Sequence, residues 1–163
     1  MATMTLDELS ARLSQAFADD LVAVVLYGSA ARGEHLGDQS DYNVLVIVRS
    51  LAPAALRTAA ATAHDWHAAG NPPPLILTEA EWRSSRDVFA IEFADILDRH
   101  RVLTGSFPDG PRRVDPAHLR HQLEFEAMGK LLRLRRGILA CNGDAAQELE
   151  LLAAARSAVL VLF

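Results

Sequence analysis

The chain has 163 residues, half of them hydrophobic and 23% charged, with a formal net charge of −5. That composition suits one ordinary domain, or a small domain with an appendage. The acidic balance leaves no electrostatic footprint for wrapping duplex DNA or RNA, although a local cationic pocket could still hold a small phosphorylated ligand. The one cysteine, Cys141, excludes an internal disulfide and a cysteine-built zinc site. No signal-peptide pattern opens the chain and no apolar run reaches membrane-spanning length, so a cytoplasmic protein with no membrane partner is expected.

Thr5 to Glu8 reads as a capping box, and Leu6, Leu9, Leu13 and Phe17 then recur at helical spacing, which predicts a helix over 6–17. Leu21 to Tyr27 is apolar and β-branched, a buried strand that stops at Gly28. Residues 28–40 are rich in glycine and polar side chains and read as a loop with a helical turn. Tyr42 to Val48 is a second buried strand, and an alanine-rich helix from Pro53 ends at Gly70-Asn71-Pro72-Pro73-Pro74. Leu75 to Leu77 reads as a third strand. Thr78 caps a short helix. Val88 to Ile96 alternates and predicts a fourth strand, with a fifth at Arg101-Val102-Leu103.

Residues 106–114 are dense in turn formers and read as a linker between a domain over 1–105 and a helical segment over 115–163. Asp115-Pro116 starts a long helix there, and Asn142-Gly143-Asp144 turns the chain into a second one. Two helices cannot bury their apolar stripes alone. The segment therefore reads as a homodimer contact, a truncated helical bundle, or a pair packed on the preceding domain. Lys130, the single lysine beside fifteen arginines, falls inside the apolar stripe of Leu119, Leu123, Ala127, Leu134 and Ile138. A buried lysine needs an anion, either a carboxylate or a bound triphosphate.

The chemistry concentrates between the first two strands. Gly28 lets the backbone approach an anion closely, and the Ser29 hydroxyl with nearby N–H groups suits a phosphate seat. Asp41 and Asn43, two apart on an extended chain, project to the same side at the edge of the second strand. Together they make a plausible magnesium seat opposite the phosphate seat. Arg32 either reaches a phosphate or holds the loop by an ion pair with Asp38 or Asp41. His64 and His67 have helical spacing but no third ligand by spacing, so no metal role is expected of them.

Tyr27-Gly28-Ser29-Ala30-Ala31-Arg32-Gly33, followed by Ser40-Asp41-Tyr42-Asn43, resembles the signature of the DNA polymerase β-like nucleotidyltransferase superfamily. The likeness is greatest to its small bacterial members, the minimal and aminoglycoside-type nucleotidyltransferases, and covers residues 6–105. It implies an α/β (α+β) fold, a mixed β-sheet flanked by helices, followed here by the helical segment. It also implies transfer of a nucleoside monophosphate from an NTP, ATP being the expected donor, to a hydroxyl acceptor with Mg²⁺.

On the matching positions, Gly28, Ser29, Arg32 and Ser40 would bind nucleotide, and Asp41 would be the principal metal ligand and a catalytic carboxylate. The family's third carboxylate sits on a later strand reading apolar-Asp-apolar, which would place Glu92 as the third metal ligand or base and Asp95 on the opposite strand face. Lys130 would then reach the triphosphate from the helical segment. The family pattern is Ser-Asp-x-Asp, and Asn43 departs from it by removing one charge from the metal site. That departure favours an alternative: a catalytically degenerate nucleotide-binding or protein-interaction module of the same fold. A coincidental motif on an unrelated α/β domain would lack adjacent strands carrying Ser29 and Asp41.

Overall fold

A computed structural model of the protein describes residues 4–32, 41–110 and 113–160. The chain divides into two compact units, Met1–Val114 and Asp115–Phe163. In the first, the order is α1 (Leu6–Phe17), β1 (Leu21–Tyr27), a 3-10 turn (Ser29–Arg32), β2 (Asn43–Val48), α2 (Pro53–Ala68), β3 (Leu75–Thr78), α3 (Glu79–Ser84), α4 (Ala90–Asp98) and β4 (His100–Gly105). The second unit holds α5 (Pro116–Cys141) and α6 (Ala145–Leu160).

The four strands form one mixed sheet in the order β3-β2-β1-β4. β1 runs antiparallel to both β2 and β4, and β2 is parallel to β3. A parallel pair needs a crossover, and α2 supplies it. β1 and β2 are the central strands and are apolar on both sides because both faces of the sheet are covered. Val24, Leu26, Val44, Val46 and Val48 pack beneath α1 and α2 with Leu9, Leu13, Phe17 and Trp66. Ala23, Val25, Leu45 and Ile47 face the other way, against Trp82 of α3 and Phe93 and Ile96 of α4. Phe107 and Val114 pack on that second layer, so the stretch after β4 belongs to the first unit.

Local chemistry sets the helix starts. Thr5 and Thr78 each accept a bond from the N–H of the residue three on, Glu8 and Glu81, whose carboxylates return the bond to the threonine N–H. These bonds hold both carboxyls below the ordinary glutamate range. Ser10 of α1 and Thr104 of β4 share a hydroxyl hydrogen bond of 2.6 Å, which ties the helix to the edge strand.

The expected strand over 88–96 is corrected to a helix. Val88 and Phe89 are exposed, and the buried residues Ala90, Phe93 and Ile96 recur every third position. A short apolar stretch carries both periods, and here packing of one helical face against the sheet decides it. The expected fifth strand is therefore the fourth, and it is longer, His100–Gly105.

In the second unit, Asp115 caps α5 by accepting from the N–H of Ala117, with Pro116 at the first helical position. Asn142 in the left-handed region (φ 48) and Gly143 (φ 83) reverse the chain. Asp144 then caps α6 through the N–H groups of Ala146 and Gln147. Among the described residues no helix is long and apolar enough to cross a membrane.

Candidate active site

Strand pleating determines what faces the site. Just before β2, Tyr42 packs with the α1–α2 layer, so Asn43, the first residue of the strand, takes the opposite face along with Leu45 and Ile47. On β1, Tyr27 takes that same face and is the register partner of Asn43. On β4, His100 is the partner of Tyr27 from the other side. Asn43, Tyr27 and His100 thus form a row across one end of the sheet, beneath the layer that contains α4.

Gly28 follows Tyr27 and is buried with φ +77, a conformation that L side chains rarely adopt. Its carbonyl accepts from the N–H of Ala31 at 3.0 Å, closing the 3-10 turn that starts at Ser29. Ser29 is exposed on that turn. Close packing is a second reason for glycine. A Cβ at position 28 would lie 3.3 Å from Asn43 Nδ2 and 3.5 Å from Asp95 Oδ2. Side chains from β2 and α4 therefore close on one point beside the Gly-Ser turn.

Asp95 was not singled out from the sequence as a site residue, and the structure puts it there. It stands one helical turn beyond Glu92 on α4, so the expectation that the two occupy opposite faces of a strand is corrected: three residues apart on a helix share a side. Both carboxylates act on Tyr27. Burial pushes its phenol above the ordinary tyrosine value, and the negative charges of Asp95 and then Glu92 push it further in the same direction.

Asp41 is exposed and precedes β2 by two residues. The intervening Tyr42 is fixed from outside the motif. Its N–H donates to Oδ1 of Asn71 at 3.0 Å, and its ring lies 6.1 Å from that of Trp66. Asn71 is itself buried in the turn after α2, and its carbonyl lies 3.0 Å from Nδ1 of His67. That bond gives His67 a role in the turn. In sequence Asn71 reads only as a turn residue before three prolines, and nothing local marks its long-range bond.

Ser40 lies outside the described residues, as do Glu34, His35 and Asp38; Arg32 is placed by its backbone at the end of the 3-10 turn. Lys130 sits on α5, with its ammonium donating to Glu126 Oε2 at 3.2 Å one turn away. Its anionic partner is thus a carboxylate of its own helix.

The donor set can be weighed for Mg²⁺. Among the described residues no group of three His, Cys, Asp or Glu side chains is arranged to hold a metal. The Gly28 cradle brings one carboxylate and one amide together, with Asp41 near in sequence. Mg²⁺ is commonly held by one or two carboxylates together with substrate phosphates, and of this set the Asp95 carboxylate fits that mode at the cradle, where Asn43 presents its amide nitrogen.

Residues 6–105, more than half of the chain, match the family model for the nucleotidyltransferase domain. The chain belongs to that family. A stretch of 51 residues is 41% identical to MJ1305 of Methanocaldococcus jannaschii, named as a candidate protein adenylyltransferase; it spans 31% of this chain and 34% of that relative. The fold is similar to that of spectinomycin adenyltransferase AAD(9) from Enterococcus faecialis, solved with ATP and spectinomycin. The TM-score is 0.54 at 12% identity, over 93% of this chain and 92% of the other. A toxin–antitoxin structure with AMP-PNP is more distant, with a TM-score of 0.41 at 13% identity over 86% of this chain and all of the other.

Proposed function

We propose that the protein transfers a nucleoside monophosphate from an NTP, with ATP the expected donor, to a hydroxyl acceptor. One observation carries this reading: the Gly28–Ser29 turn meets Asn43 and the Asp95 carboxylate at a single point, and Asp41 precedes Asn43 by two residues. The family match and the fold shared with spectinomycin adenyltransferase, which was solved with ATP, support a nucleotide as the donor.

In this account the backbone at Gly28 and the Ser29 hydroxyl hold phosphate oxygens, with Arg32 and Ser40 completing the seat from the loop. Asp41 would be the principal holder of Mg²⁺, with Asn43, Asp95 and Glu92 as further contributors. Bound there, Mg²⁺ would neutralise triphosphate charge and polarise the α-phosphoryl group. The acceptor oxygen bonds to the α-phosphorus as the bond to pyrophosphate breaks, and pyrophosphate leaves with the electron pair. The hydroxyl proton passes to a carboxylate of α4, Glu92 or Asp95. Both stand beside Tyr27, where the phenol stays protonated and supplies a hydrogen-bond donor.

Asn43 favours a second reading, a module that binds nucleotide or a protein partner without transfer. Two carboxylates at the Gly28 point would repel, and an amide avoids that cost without a metal. Two measurements separate the readings. Pyrophosphate release from ATP, GTP, CTP and UTP with Mg²⁺ across a panel of hydroxylated compounds should be detected in wild type and lost in Asp41→Ala. In Asn43→Asp, a large gain in release would support the degenerate module, and a loss would make the asparagine part of a working site.

A further inference from the structure

In the second unit, α5 is apolar on two sides. One side meets α6. Leu119, Leu123, Leu134 and Gly137 recur there at helical spacing and are partly buried, and a Cβ on Gly137 would stand 2.6 Å from Cδ2 of Leu151. The other side is open. Phe125, Met128, Leu131, Leu132, Ile138 and Leu139 are exposed, Phe125 at 72% and Leu139 at 80%. At 3.6 residues per turn these six fall within an arc of about 140°, turned away from the α6 contact. A helix of a folded protein presents an apolar stripe of that width to a second layer.

The charges inside the arc are arranged for one kind of cover. His121, Glu124, Met128, Leu131, Arg135 and Ile138 follow one another at alternating spacings of three and four, the seam of a coiled helix pair. Reversed about the midpoint between Gly129 and Lys130, this seam complements itself: Glu124 falls on Arg135, Met128 on Leu131 and His121 on Ile138. The midpoint lies close to the centre of α5 (Pro116–Cys141), so an antiparallel copy overlaps along nearly all of the helix, about 39 Å. Glu124 already accepts from Arg120 at 2.7 Å, and a carboxylate has room for a second donor. A parallel copy would set Glu124 on Glu124 and Arg135 on Arg135, which is unfavourable.

The area suffices. At about 100 Å² for a fully exposed side chain of this size, the six expose about 350 Å² of apolar surface on each copy. Two copies would bury about 700 Å² of it and, with the polar rim, about 1,100 Å² in all, which clears the roughly 1,000 Å² expected of a specific interface.

We propose that two copies of this chain associate through α5, antiparallel, about a two-fold axis beside Gly129 and Lys130. The contact is isologous, so each Glu124–Arg135 pair is made twice. The proposal stands apart from the nucleotidyl-transfer reading.

Sedimentation velocity from about 1 to about 100 µM tests it, with a micromolar dimer expected in wild type. Met128→Glu puts a charge at the centre of the seam and should weaken association about ten-fold or more. Arg135→Glu and Glu124→Arg each set like charges together at two places, and each should weaken it about thirty-fold or more. Mixed in equal amounts, these last two variants regain both opposite-charge pairs and should associate within about three-fold of wild type. A variant that had merely lost its fold would not recover in the mixture. Wild type that stays monomeric at the highest concentration would overturn the proposal and leave the arc to an unlike partner. A dimer unmoved by all three variants would put the contact elsewhere. Single variants that weaken the dimer yet fail to recover on mixing would overturn the antiparallel pairing.

Discussion

The side chain of Asn71 accepts a hydrogen bond from the backbone N–H of Tyr42 at 3.0 Å, across 29 residues of sequence. A buried turn at the end of α2 thereby holds the residue between Asp41 and Asn43. Leaving the Tyr42 N–H without its acceptor should cost about 1–3 kcal/mol. Asn71→Ala should therefore lower the urea midpoint of unfolding with the slope unchanged. It should also weaken Mg·ATP binding more than a surface substitution of equal stability cost does.

Gly28 is constrained twice, by φ +77 and by contact with Asn43 and Asp95. Gly28→Ala meets a left-handed backbone penalty of about 1–2 kcal/mol, and its new methyl presses on both side chains. Nucleotide affinity measured by calorimetry should fall about ten-fold or more, since the same backbone shift moves the phosphate seat.

The carboxylate of Asp95 raises the phenol of Tyr27, after burial, which is the larger cause. Asp95→Asn removes that charge and leaves the burial. Ultraviolet titration of the phenol, with Tyr27→Phe identifying its signal, should show the Tyr27 value move down toward the ordinary one in Asp95→Asn. An unmoved titration would mean that Asp95 does not face Tyr27.

The raised phenol also links stability to alkaline pH. Folded Tyr27 holds its proton more tightly than the unfolded chain does. Its contribution is therefore complete below the ordinary tyrosine value of about 10, and is lost as pH rises from there through the folded value. Thermal unfolding should weaken across that window, and less steeply in Tyr27→Phe.

The central strands and the glycine turn were legible because each has a local cause. The β-branched run at 21–27, the threonine caps and the stop at Gly28 depend on neighbours in sequence. The stretch from Val88 to Ile96 was not legible in this way. Its apolar residues fit a two-residue and a three-residue period alike, and only the sheet beneath α4 selects the helix. That one misreading hid Asp95, because a strand would have turned it away from Glu92. The Asn71–Tyr42 bond was hidden for a different reason: its partners are joined by the fold and not by a motif. Lys130 shows the converse case, since a place in an apolar stripe does not reveal that the anion is Glu126 one turn back.

The account turns on a nucleotide seat at the Gly28–Ser29 turn that uses Asp41. Calorimetric titration of ATP with and without Mg²⁺, into wild type and Asp41→Ala, tests it most directly. Magnesium-dependent binding in wild type that disappears in the variant is the expected result. Wild type that binds none of ATP, GTP, CTP and UTP, or an Asp41→Ala protein that binds ATP as wild type does, would contradict it.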